Sequence, residues 1–422
     1  MNKKSESKDV MNKIFMQKPS GIIVSLLLMV FSANVWGQKV VLSGTVTNGN
    51  TGEPVPYASV TAGENGVAVV TNDDGFFTLK VEQMPKDITV SSIGFRSQRV
   101  KIAGNAENMT IRLKPSAKML REVVVWTGDP RELVNIAIRK IPENYSRQPE
   151  LYNCFYRETA MKRKHFIYVA EGVIDMYKTS YTRSDAKDRV AIRKGRRLLS
   201  PKRSDTLSVK VNGGPVQPIC LDIVKNHDIL LNEEELACYD FKMEQPEVID
   251  DRLQYVVSIS PRWVMPYPLY HGKLYIDRQN LAFTRAELSL DMSNREKATR
   301  FMLVHKPAGV RFRPKELTSL VDYRYENGVT RISYIRNLFR FTCDWKRRLF
   351  ATSFTACCEM VVTDKTADNV TPISGRDSFD SRDAFYDKVD YFRDPNFWED
   401  YNIIEPTVSL DEAIGKLLKK YK

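Results

Sequence analysis

Two short clusters of basic side chains are the clearest chemistry-bearing feature of the sequence. They are Arg193, Lys194, Arg196 and Arg197 in the first cluster, and Lys346, Arg347 and Arg348 in the second. Guanidinium and ammonium groups gathered in this way bind phosphate and other anions. The two clusters therefore predict an anion-binding surface, with solvated strand faces and turns as the alternative.

The six cysteines are the next candidates for chemistry. They are Cys154, Cys220, Cys238, Cys343, Cys357 and Cys358. None of them has the C-x-x-C spacing that redox sites and structural zinc sites use. A hairpin connection over residues 344–352 would bring Cys343 to face Cys357. We therefore predict a disulfide between these two residues, although six cysteines leave other pairings open.

Other catalytic and metal-binding patterns fail on spacing. The histidines are His165, His227, His271 and His305. None is followed three residues later by Glu, so the paired ligands of a zinc hydrolase are missing. The acidic turn at 72–75 is no calcium loop, because Val70 and Val81 stand where side-chain oxygens are needed. Since Gly-x-Ser-x-Gly and phosphate-binding glycine loops do not occur either, we predict no catalytic residue, metal or cofactor.

Aromatic side chains offer a further binding chemistry. The candidates are Trp263, Tyr267, Tyr270 and Trp398. Such rings stack on sugars when they are exposed, whereas aromatic residues of strands usually belong to the core. The sequence leaves both interpretations open.

The composition limits the class of protein. The chain has 422 residues, of which 42% are hydrophobic and 27% charged. This length suggests two or three domains, and the apolar fraction excludes a largely disordered protein. The one long apolar run, residues 21–31, is much too short for a membrane-spanning helix, which needs about 20 residues. A multi-span membrane protein is therefore excluded.

The amino-terminal residues predict export. Lys13 and Lys18 precede the apolar run, and Val35 and Gly37 fit the two positions recognised by signal peptidase. This order of basic, apolar and small residues indicates a cleaved signal peptide over 1–37. An amino-terminal membrane anchor is the alternative. Either Met1 or Met11 could be the start of translation.

Cleavage would change the charge and the expected partners. The whole chain carries a formal charge of +12, and residues 1–37 hold five Lys against two carboxylates. Removing this +3 leaves +9 on the mature chain. An exported protein in the periplasm or at the outer membrane does not meet nucleic acid, so we expect anionic envelope surfaces instead.

Residues 38–115 predict a small antiparallel β-sandwich. Seven β-prone runs occur at 42–47, 57–62, 67–71, 76–81, 88–93, 98–102 and 109–113. Clusters of Asn, Asp and Gly at 48–52, 63–66 and 72–75 separate the first of them. Such residues turn the chain, and seven short strands at this spacing are typical of a compact sandwich.

Four of these motifs also carry a family resemblance. Residues 43–47, 51–60, 71–77 and 91–95 resemble, in this order, the carboxypeptidase-regulatory-like domain of Bacteroidetes envelope proteins. Residues 120–125 are similar to the segment that links this module to the next domain. The resemblance implies a transthyretin/Ig-like sandwich that is not itself catalytic.

We expect a linker at 116–128 and a second, β-rich domain at 129–422. Asp129 and Pro130 suit the start of a helix, and long β-type runs follow. They lie at 151–161, 166–177, 190–199, 253–260, 272–277, 281–292, 301–305, 317–325 and 329–341. The Asn327-Gly328 pair predicts a tight hairpin between the last two. A helical insertion is expected near 217–238.

An amphipathic helix is expected at the carboxyl end, over 409–421. Ser409, Asp411 and Glu412 form a capping box, and Leu410, Ile414 and neighbouring apolar residues form one face. This helix would dock onto its own domain, or alternatively lie on an anionic membrane surface.

The second domain extends the resemblance to nearly all of the mature chain. Residues 266–277, 282–287, 343–350 and 397–402 resemble blocks of carboxypeptidase-regulatory-like proteins of Bacteroidetes, and the hairpin at 272–285 resembles lipoprotein-carrier-like half-barrels. The fold class is therefore mainly β: a transthyretin/Ig-like β-sandwich, then a large curved antiparallel sheet with a few covering helices (α+β).

The functional prediction is a non-catalytic exported envelope protein. It would bind or scaffold a lipid, a glycan or an outer-membrane protein, and peripheral membrane association is possible. The alternative is an enzyme with an unrecognised site in the second domain. A deep cleft with clustered, perturbed titratable groups would favour the enzyme, whereas an apolar groove in the sheet would favour a lipid carrier.

Overall fold

The structure, a computed structural model, describes the chain from residue 39 to residue 419 with gaps. The described residues are 39–63, 66–104, 106–116, 126–183, 186–202, 213–303, 309–345, 350–392, 397–398 and 401–419. Nearly all of them belong to one compact unit, residues 41–422. The predicted signal peptide and residues 117–125 of the predicted linker lie outside the described residues.

Seven strands form the amino-terminal β-sandwich, and each falls on one of the predicted runs. They are β1 (Val40–Asn48), β2 (Ser59–Ala62), β3 (Val67–Val70), β4 (Phe76–Val81), β5 (Asp87–Ser91), β6 (Gln98–Lys101) and β7 (Met109–Leu113). One sheet has the order β4-β1-β7 and the other β3-β2-β5-β6. In β4, Phe77, Leu79 and Val81 are buried while the residues between them are half-buried, which is the alternation of a strand with one face on a core.

The sequence predicts an antiparallel sandwich, and the structure differs from this prediction in one pair of strands. β1 pairs with β7 in parallel, with Gly44 opposite Met109 and Asn48 opposite Leu113. Parallel neighbours need a long connection that returns the chain to its starting end. Strands β2 to β6 together provide that connection.

The acidic segment at 72–75 is a turn. Asn72 Oδ1 accepts hydrogen bonds from the backbone N–H groups of Asp74 at 3.0 Å and Phe76 at 2.9 Å. Gly75 has a φ of +75°, and a Cβ atom there would lie 2.5 Å from the carbonyl oxygen of Val46. This close approach requires glycine, so the turn and β1 are built against each other.

Twelve strands form the large sheet. They are β8 (Glu150–Lys162), β9 (His165–Lys178), β10 (Arg189–Leu199), β11 (Tyr239–Met243), β12 (Glu247–Ile249), β13 (Arg252–Pro261), β14 (Tyr270–Asp277), β15 (Phe283–Leu290), β16 (Val310–Glu326), β17 (Val329–Trp345), β18 (Thr352–Thr366) and β19 (Asp390–Tyr391). Their order is β11-β13-β14-β15-β16-β17-β18-β8-β9-β10-β19, and β12 pairs with β13. Only β10 and β19 pair in parallel within the described sheet. The curved antiparallel sheet is thus confirmed.

The hairpin between β16 and β17 forms where the sequence predicts it. Asn327 and Gly328 have φ angles of 50° and 85°. Two successive positive φ angles are the geometry of a type I′ turn, whose twist matches that of the flanking strands. The turn therefore sets the register of the two longest strands of the sheet.

Six α-helices occur in the described part of the chain. They are α1 (Pro130–Arg139), α2 (Ile141–Asn144), α3 (Val216–Cys220), α4 (Glu233–Leu236), α5 (Arg295–Met302) and α6 (Val408–Leu418). The Asp129 side chain caps α1 by accepting from the Arg131 N–H at 2.9 Å, as its position before Pro130 predicts. Helices α3 and α4 lie in the segment expected to be a helical insertion.

The strands of the second domain differ from the sequence expectations in two respects. The described start of the run at 301–305 is not a strand, because Phe301 and Met302 lie in α5. Asn294 caps this helix by accepting from the Glu296 and Lys297 N–H groups at 3.1 Å, and the cap outweighs a short apolar run. Strands β11, β12, β18 and β19 have no counterpart among the predicted runs. In β18, the longest of them, polar residues and adjacent cysteines hide the alternation.

Both faces of the large sheet are covered. Cys154 and Tyr156 of β8 face a core that contains buried residues of helices α1 to α4. Phe155 points to the opposite face, where it packs in a cluster with Val70 of the sandwich and Trp398. Alternate side chains of one strand therefore support two layers, with helices on one face and the sandwich on the other.

Helix α6 docks onto the large sheet. Leu410, Ile414 and Leu417 pack with Val169 of β9 and Leu198 of β10. The helix begins two residues earlier than a capping box at Ser409 predicts. Thr407 is the N-cap, and its hydroxyl accepts from the Leu410 N–H at 3.2 Å.

Candidate functional site

Strand β10 carries the first predicted basic cluster. Arg193 forms an ion pair with Asp175 of the neighbouring strand β9 at 2.7 Å. Lys194 Nζ lies 4.2 Å from the ring centre of Phe397 and donates a hydrogen bond to the Phe397 carbonyl at 2.7 Å. These two cations are thus engaged within the protein.

The arginines further along β10 also contact aromatic rings. The guanidinium of Arg196 lies 4.0 Å from the ring centre of Phe392 and 5.0 Å from that of Trp398. Arg197 lies 4.1 Å from the ring centre of Tyr386 and donates to the Tyr386 carbonyl. Cation–π contacts of this kind are stronger when they exclude water. β10 therefore uses these cations to hold the carboxyl-terminal segment against the sheet.

Strand β10 does not present the expected open basic surface, because its cations contact aromatic rings and the carboxylates of Asp175 and Glu171. The second cluster, Lys346, Arg347 and Arg348, lies outside the described residues. Anion binding by either cluster stays a prediction.

Glu171 is the buried centre of the contacts around β10. Arg157 Nε donates to its Oε1 at 2.8 Å, and Arg196 Nε and Trp398 Nε1 donate to its Oε2 at 3.1 and 3.3 Å. A second nitrogen of Arg157 donates to the Ile404 carbonyl at 2.6 Å. Burial acts to raise the pKa of Glu171, but the two arginines outweigh it and hold the pKa below its usual value. This network joins β8, β9 and β10 to the carboxyl-terminal segment.

A second buried network lies beneath the helices. Lys178 Nζ lies 2.5 Å from an oxygen of Asp188 and 2.6 Å from one of Asp222. Asp222 also accepts hydrogen bonds from the hydroxyls of Tyr181 and Tyr323, both at 2.8 Å. Burial acts to lower the pKa of Lys178, but the two carboxylates outweigh it and raise the pKa. The network holds the turn after α3 on the sheet.

Glu158 of β8 is a buried carboxyl between two tyrosines. The Tyr156 hydroxyl donates to its Oε1 and the Tyr168 hydroxyl to its Oε2, both at 2.6 Å. Burial raises the pKa of Glu158 to about 6, although both hydrogen bonds act in the opposite direction. A perturbed carboxyl can mark an active site, but Glu158 is only 4% exposed and lies on the helix-covered face. It therefore does not meet the expectation of a catalytic group in an open cleft.

The cysteines are all free thiols, and the predicted bridge between Cys343 and Cys357 is not formed. Cys343 lies opposite Thr352, the first residue of β18, whereas Cys357 lies opposite Leu338. Thr352 and Cys357 are five residues apart, so the Cα atoms of Cys343 and Cys357 are separated by about 17 Å, whereas a disulfide needs Cα atoms within about 7 Å. Burial also raises the pKa of the Cys343 thiol to about 11, so it is protonated at neutral pH.

A shallow cleft lies where the sandwich meets the large sheet, and charged side chains line it. Arg331 pairs with Glu150 at 2.7 Å. Glu326 pairs with Arg324 at 3.3 Å and with Lys365. Because these charges neutralise one another, the cleft resembles a sealed domain contact rather than a ligand pocket.

Strongly exposed apolar side chains lie in the loop between β13 and β14. We call residues 262–269 the aromatic loop. Trp263 is 58% exposed and Val264 is 92% exposed, and the ring of Tyr267 is also exposed. Tyr270, another candidate for sugar stacking, is buried, as is Trp398. The sequence identifies the aromatic residues, but only the fold separates the exposed from the buried ones.

The aromatic loop is held in place by its neighbours. Lys297 of α5 donates a hydrogen bond to the Met265 carbonyl. The Tyr267 hydroxyl donates to Glu235 of α4 at 2.9 Å, and the Asp291 N–H donates to the Leu269 carbonyl at 2.8 Å. The loop therefore presents Trp263 and Val264 in a preorganised conformation, which lowers the entropy cost of binding a partner.

In the part of the chain that the structure describes, no group of three or more His, Cys, Asp or Glu side chains is placed to hold a metal ion. No helix of the described residues is both long and apolar enough to cross a membrane.

The sequence of the sandwich matches a known domain family. Residues 42–125 match the CarboxypepD_reg-like domain. The match confirms the domain that the sequence motifs implied, and it covers all seven strands of the sandwich except the start of β1. No curated protein matches the chain.

Solved structures give only remote likenesses. A DUF1329 family protein from Desulfovibrio piger is 12% identical, with a TM-score of 0.25 over 58% of this chain and 95% of that chain. A putative outer membrane lipoprotein-sorting protein domain from Vibrio parahaemolyticus is 8% identical, with a TM-score of 0.26 over 59% and 97%. A putative membrane-associated protein from Bacteroides fragilis is 11% identical, with a TM-score of 0.15 over 78% and 98%. Scores this low carry no argument about function.

Proposed function

We propose that the chain is a non-catalytic exported protein of the cell envelope that binds a lipid, a glycan or an outer-membrane protein on its surface. The observation that carries the proposal is the aromatic loop, in which Trp263 and Val264 are exposed and held in place. Exposed apolar residues on a rigid support are characteristic of surfaces that bind partners or membranes. The periplasm or the outer membrane is the proposed location.

The interior supports binding rather than catalysis. Its charged side chains are committed to one another, with Lys178 between two carboxylates and Glu171 between two arginines. Buried pairs of this kind fix the arrangement of layers, because removing one partner leaves an uncompensated charge. The buried groups thus serve the scaffold, and the surface is left to recognise the partner.

The sandwich is proposed to be a docking module, with 38–115 as its extent, 116–128 as a linker and 129–422 as the binding body. Its contacts with the large sheet support a fixed position. The rings of Tyr57 and Tyr334 stack at 5.7 Å, and Asn402 exchanges hydrogen bonds with the Lys80 backbone at 2.7 and 2.9 Å. A module held in this way has a fixed position on the body rather than acting as a loose spacer.

The test is isolation of the tagged chain from the membranes of expressing cells, followed by mass spectrometry of the lipids and proteins that accompany it. We expect a lipid, glycan or outer-membrane protein to accompany the chain in the envelope fraction. The paired substitution Trp263→Ser and Val264→Ser should remove it. Met84→Ser, at an exposed methionine of the sandwich, is the matched control and should retain it.

Recovery of the unaltered chain alone and fully soluble would refute the proposal. Equal retention of the partner by the loop variant would refute the assignment of binding to the aromatic loop. Circular dichroism of both variants shows whether the fold is intact, which we expect because all three side chains are exposed.

A further inference from the structure

One end of the large sheet combines exposed apolar and basic residues. The turn between β8 and β9, the first residues of β16 and the last residues of β17 lie at this end. Lys162 of β8 lies opposite Phe354 of β18, Cys343 of β17 lies opposite Thr352, and Val310 of β16 lies opposite Trp345. Helix α5 precedes β16 and packs on it. We call this region the basic end.

The aromatic loop adjoins the basic end through α5. Lys297 contacts the loop at Met265, and Phe301 lies one helical turn further on the same face of α5. Phe301 is 52% exposed, and Phe350, just before β18, is 76% exposed. Exposed apolar side chains thus lie in the aromatic loop, on α5 and just before β18.

Basic side chains are numerous on the elements that form the basic end. The exposed cations are Arg163, Lys164, Arg295, Arg300, Arg311, Lys315 and Arg340. The carboxylates in the same region are Glu296, Glu316 and Asp344, and each lies within 4.0 Å of an arginine. Cations therefore outnumber carboxylates about two to one across the basic end, and the local charge is positive. The acidic helix α4 contacts the aromatic loop at Tyr267.

The two faces of the sheet differ at the basic end. Phe312, Phe341 and Phe354 form an aromatic cluster on the face that carries the helices. Arg311 and Arg313 alternate with Phe312 along β16 and so point to the opposite face. The basic end is therefore amphipathic, with aromatic rings on the helix-covered face of the sheet and guanidinium groups on the opposite face.

From these observations we infer that the basic end docks on an anionic phospholipid bilayer surface, with the aromatic loop inserting Trp263 and Val264 at the headgroup level. The inference rests on the proposed function and names its partner. Trp and Tyr favour the membrane–water interface, and an apolar anchor acts together with cations that attract anionic lipids. Charge complementarity selects a phospholipid surface, because each Lys or Arg near such a surface strengthens binding severalfold.

Vesicle co-sedimentation of the chain isolated from expressing cells tests the inference. Vesicles of phosphatidylcholine with phosphatidylglycerol are compared with vesicles of phosphatidylcholine alone. We expect binding to the anionic vesicles that weakens in high salt. Replacing Arg163, Lys164, Arg311 and Lys315 by Gln together should weaken it about 1,000-fold. The Trp263→Ser and Val264→Ser pair should weaken it about tenfold and abolish the tryptophan fluorescence shift of insertion.

The matched control removes the same charge from the sandwich. Lys86, Lys101, Arg112 and Lys114 are exposed there, and their replacement by Gln should change binding less than about threefold. Equal losses in the two charge variants would show that binding follows net charge and would overturn the inference. Absence of vesicle binding by a chain that stays in the envelope fraction with a protein partner would also overturn it, while leaving the proposed function intact.

Discussion

Replacing Glu158 by Gln tests the buried carboxyl on the helix-covered face of the sheet. Burial raises the pKa of Glu158 from 4.5 to about 6. In the unfolded chain this group ionises at its ordinary pKa, so the folded state binds the proton more tightly between these two values. The free energy of unfolding must therefore fall by about 2 kcal/mol as the pH rises through this interval. Glu158 is almost fully buried, so solvent screening does not reduce this value.

Glutamine keeps the shape of the side chain and cannot ionise. Its amide can accept from one tyrosine hydroxyl and donate to the other, so the contacts with Tyr156 and Tyr168 are retained. We expect the difference in unfolding free energy between wild type and Glu158→Gln to change by about 2 kcal/mol between pH 4 and pH 7. The wild type should lose stability relative to the variant as the pH rises.

Urea unfolding at a series of pH values measures this difference. Glu82→Gln, at an exposed carboxylate of the sandwich, is the control and should follow the wild-type curve. A difference between wild type and Glu158→Gln that stays flat across this range would refute the reasoning. A difference of opposite sign would show that the tyrosine hydrogen bonds outweigh burial.

Three further outcomes follow from the structure. Lys178→Met should lower the free energy of unfolding in urea by about 3–5 kcal/mol, because it leaves two carboxylates buried without a cation. Lys86→Met on the sandwich surface is the control and should be nearly neutral. Similar losses of stability in both variants would contradict the buried network. Gly328→Ala should cost about 1–2 kcal/mol of unfolding free energy, since the hairpin holds this residue at a φ of +85°, while Gly375→Ala has open space around it and should cost less. Thiol titration of the denatured chain without reductant should find six free thiols, and a count of four would show that one disulfide is present. In the folded chain the exposed Cys220 should react first.

Local features of the fold follow from the sequence because their causes are local. Short alternating runs and Asn, Asp and Gly turns identify all seven strands of the sandwich. The Asn327-Gly328 turn and the Asp129 cap are likewise formed by neighbouring residues. Where these predictions of secondary structure fail, two local signals conflict. At Phe301 a capped helix competes with a strand-like run, and in β18 polar residues obscure the period of two.

The exposure and the partners of the candidate site residues depend on tertiary structure much more than the strands and turns do. The sequence points to Trp263 and to Trp398 equally, yet the fold exposes the first and buries the second. The basic cluster on β10 is evident in the sequence, but its aromatic partners are not, because they come from a distant segment. The predicted pairing of Cys343 with Cys357 failed for the same reason, since a few residues of register decide which side chains face each other.

The sequence by itself determined the sandwich, the β-rich second domain, the turn chemistry and the basic character of the chain. Only the tertiary structure decided which charged side chains are paired inside the protein and which remain on its surface. Glu171 shows the physical reason, since its hydrogen bond with Trp398 joins residues that are 227 positions apart. Contacts at such separations depend on strand order and layer packing, and these place the exposed aromatic loop beside the basic end of the sheet.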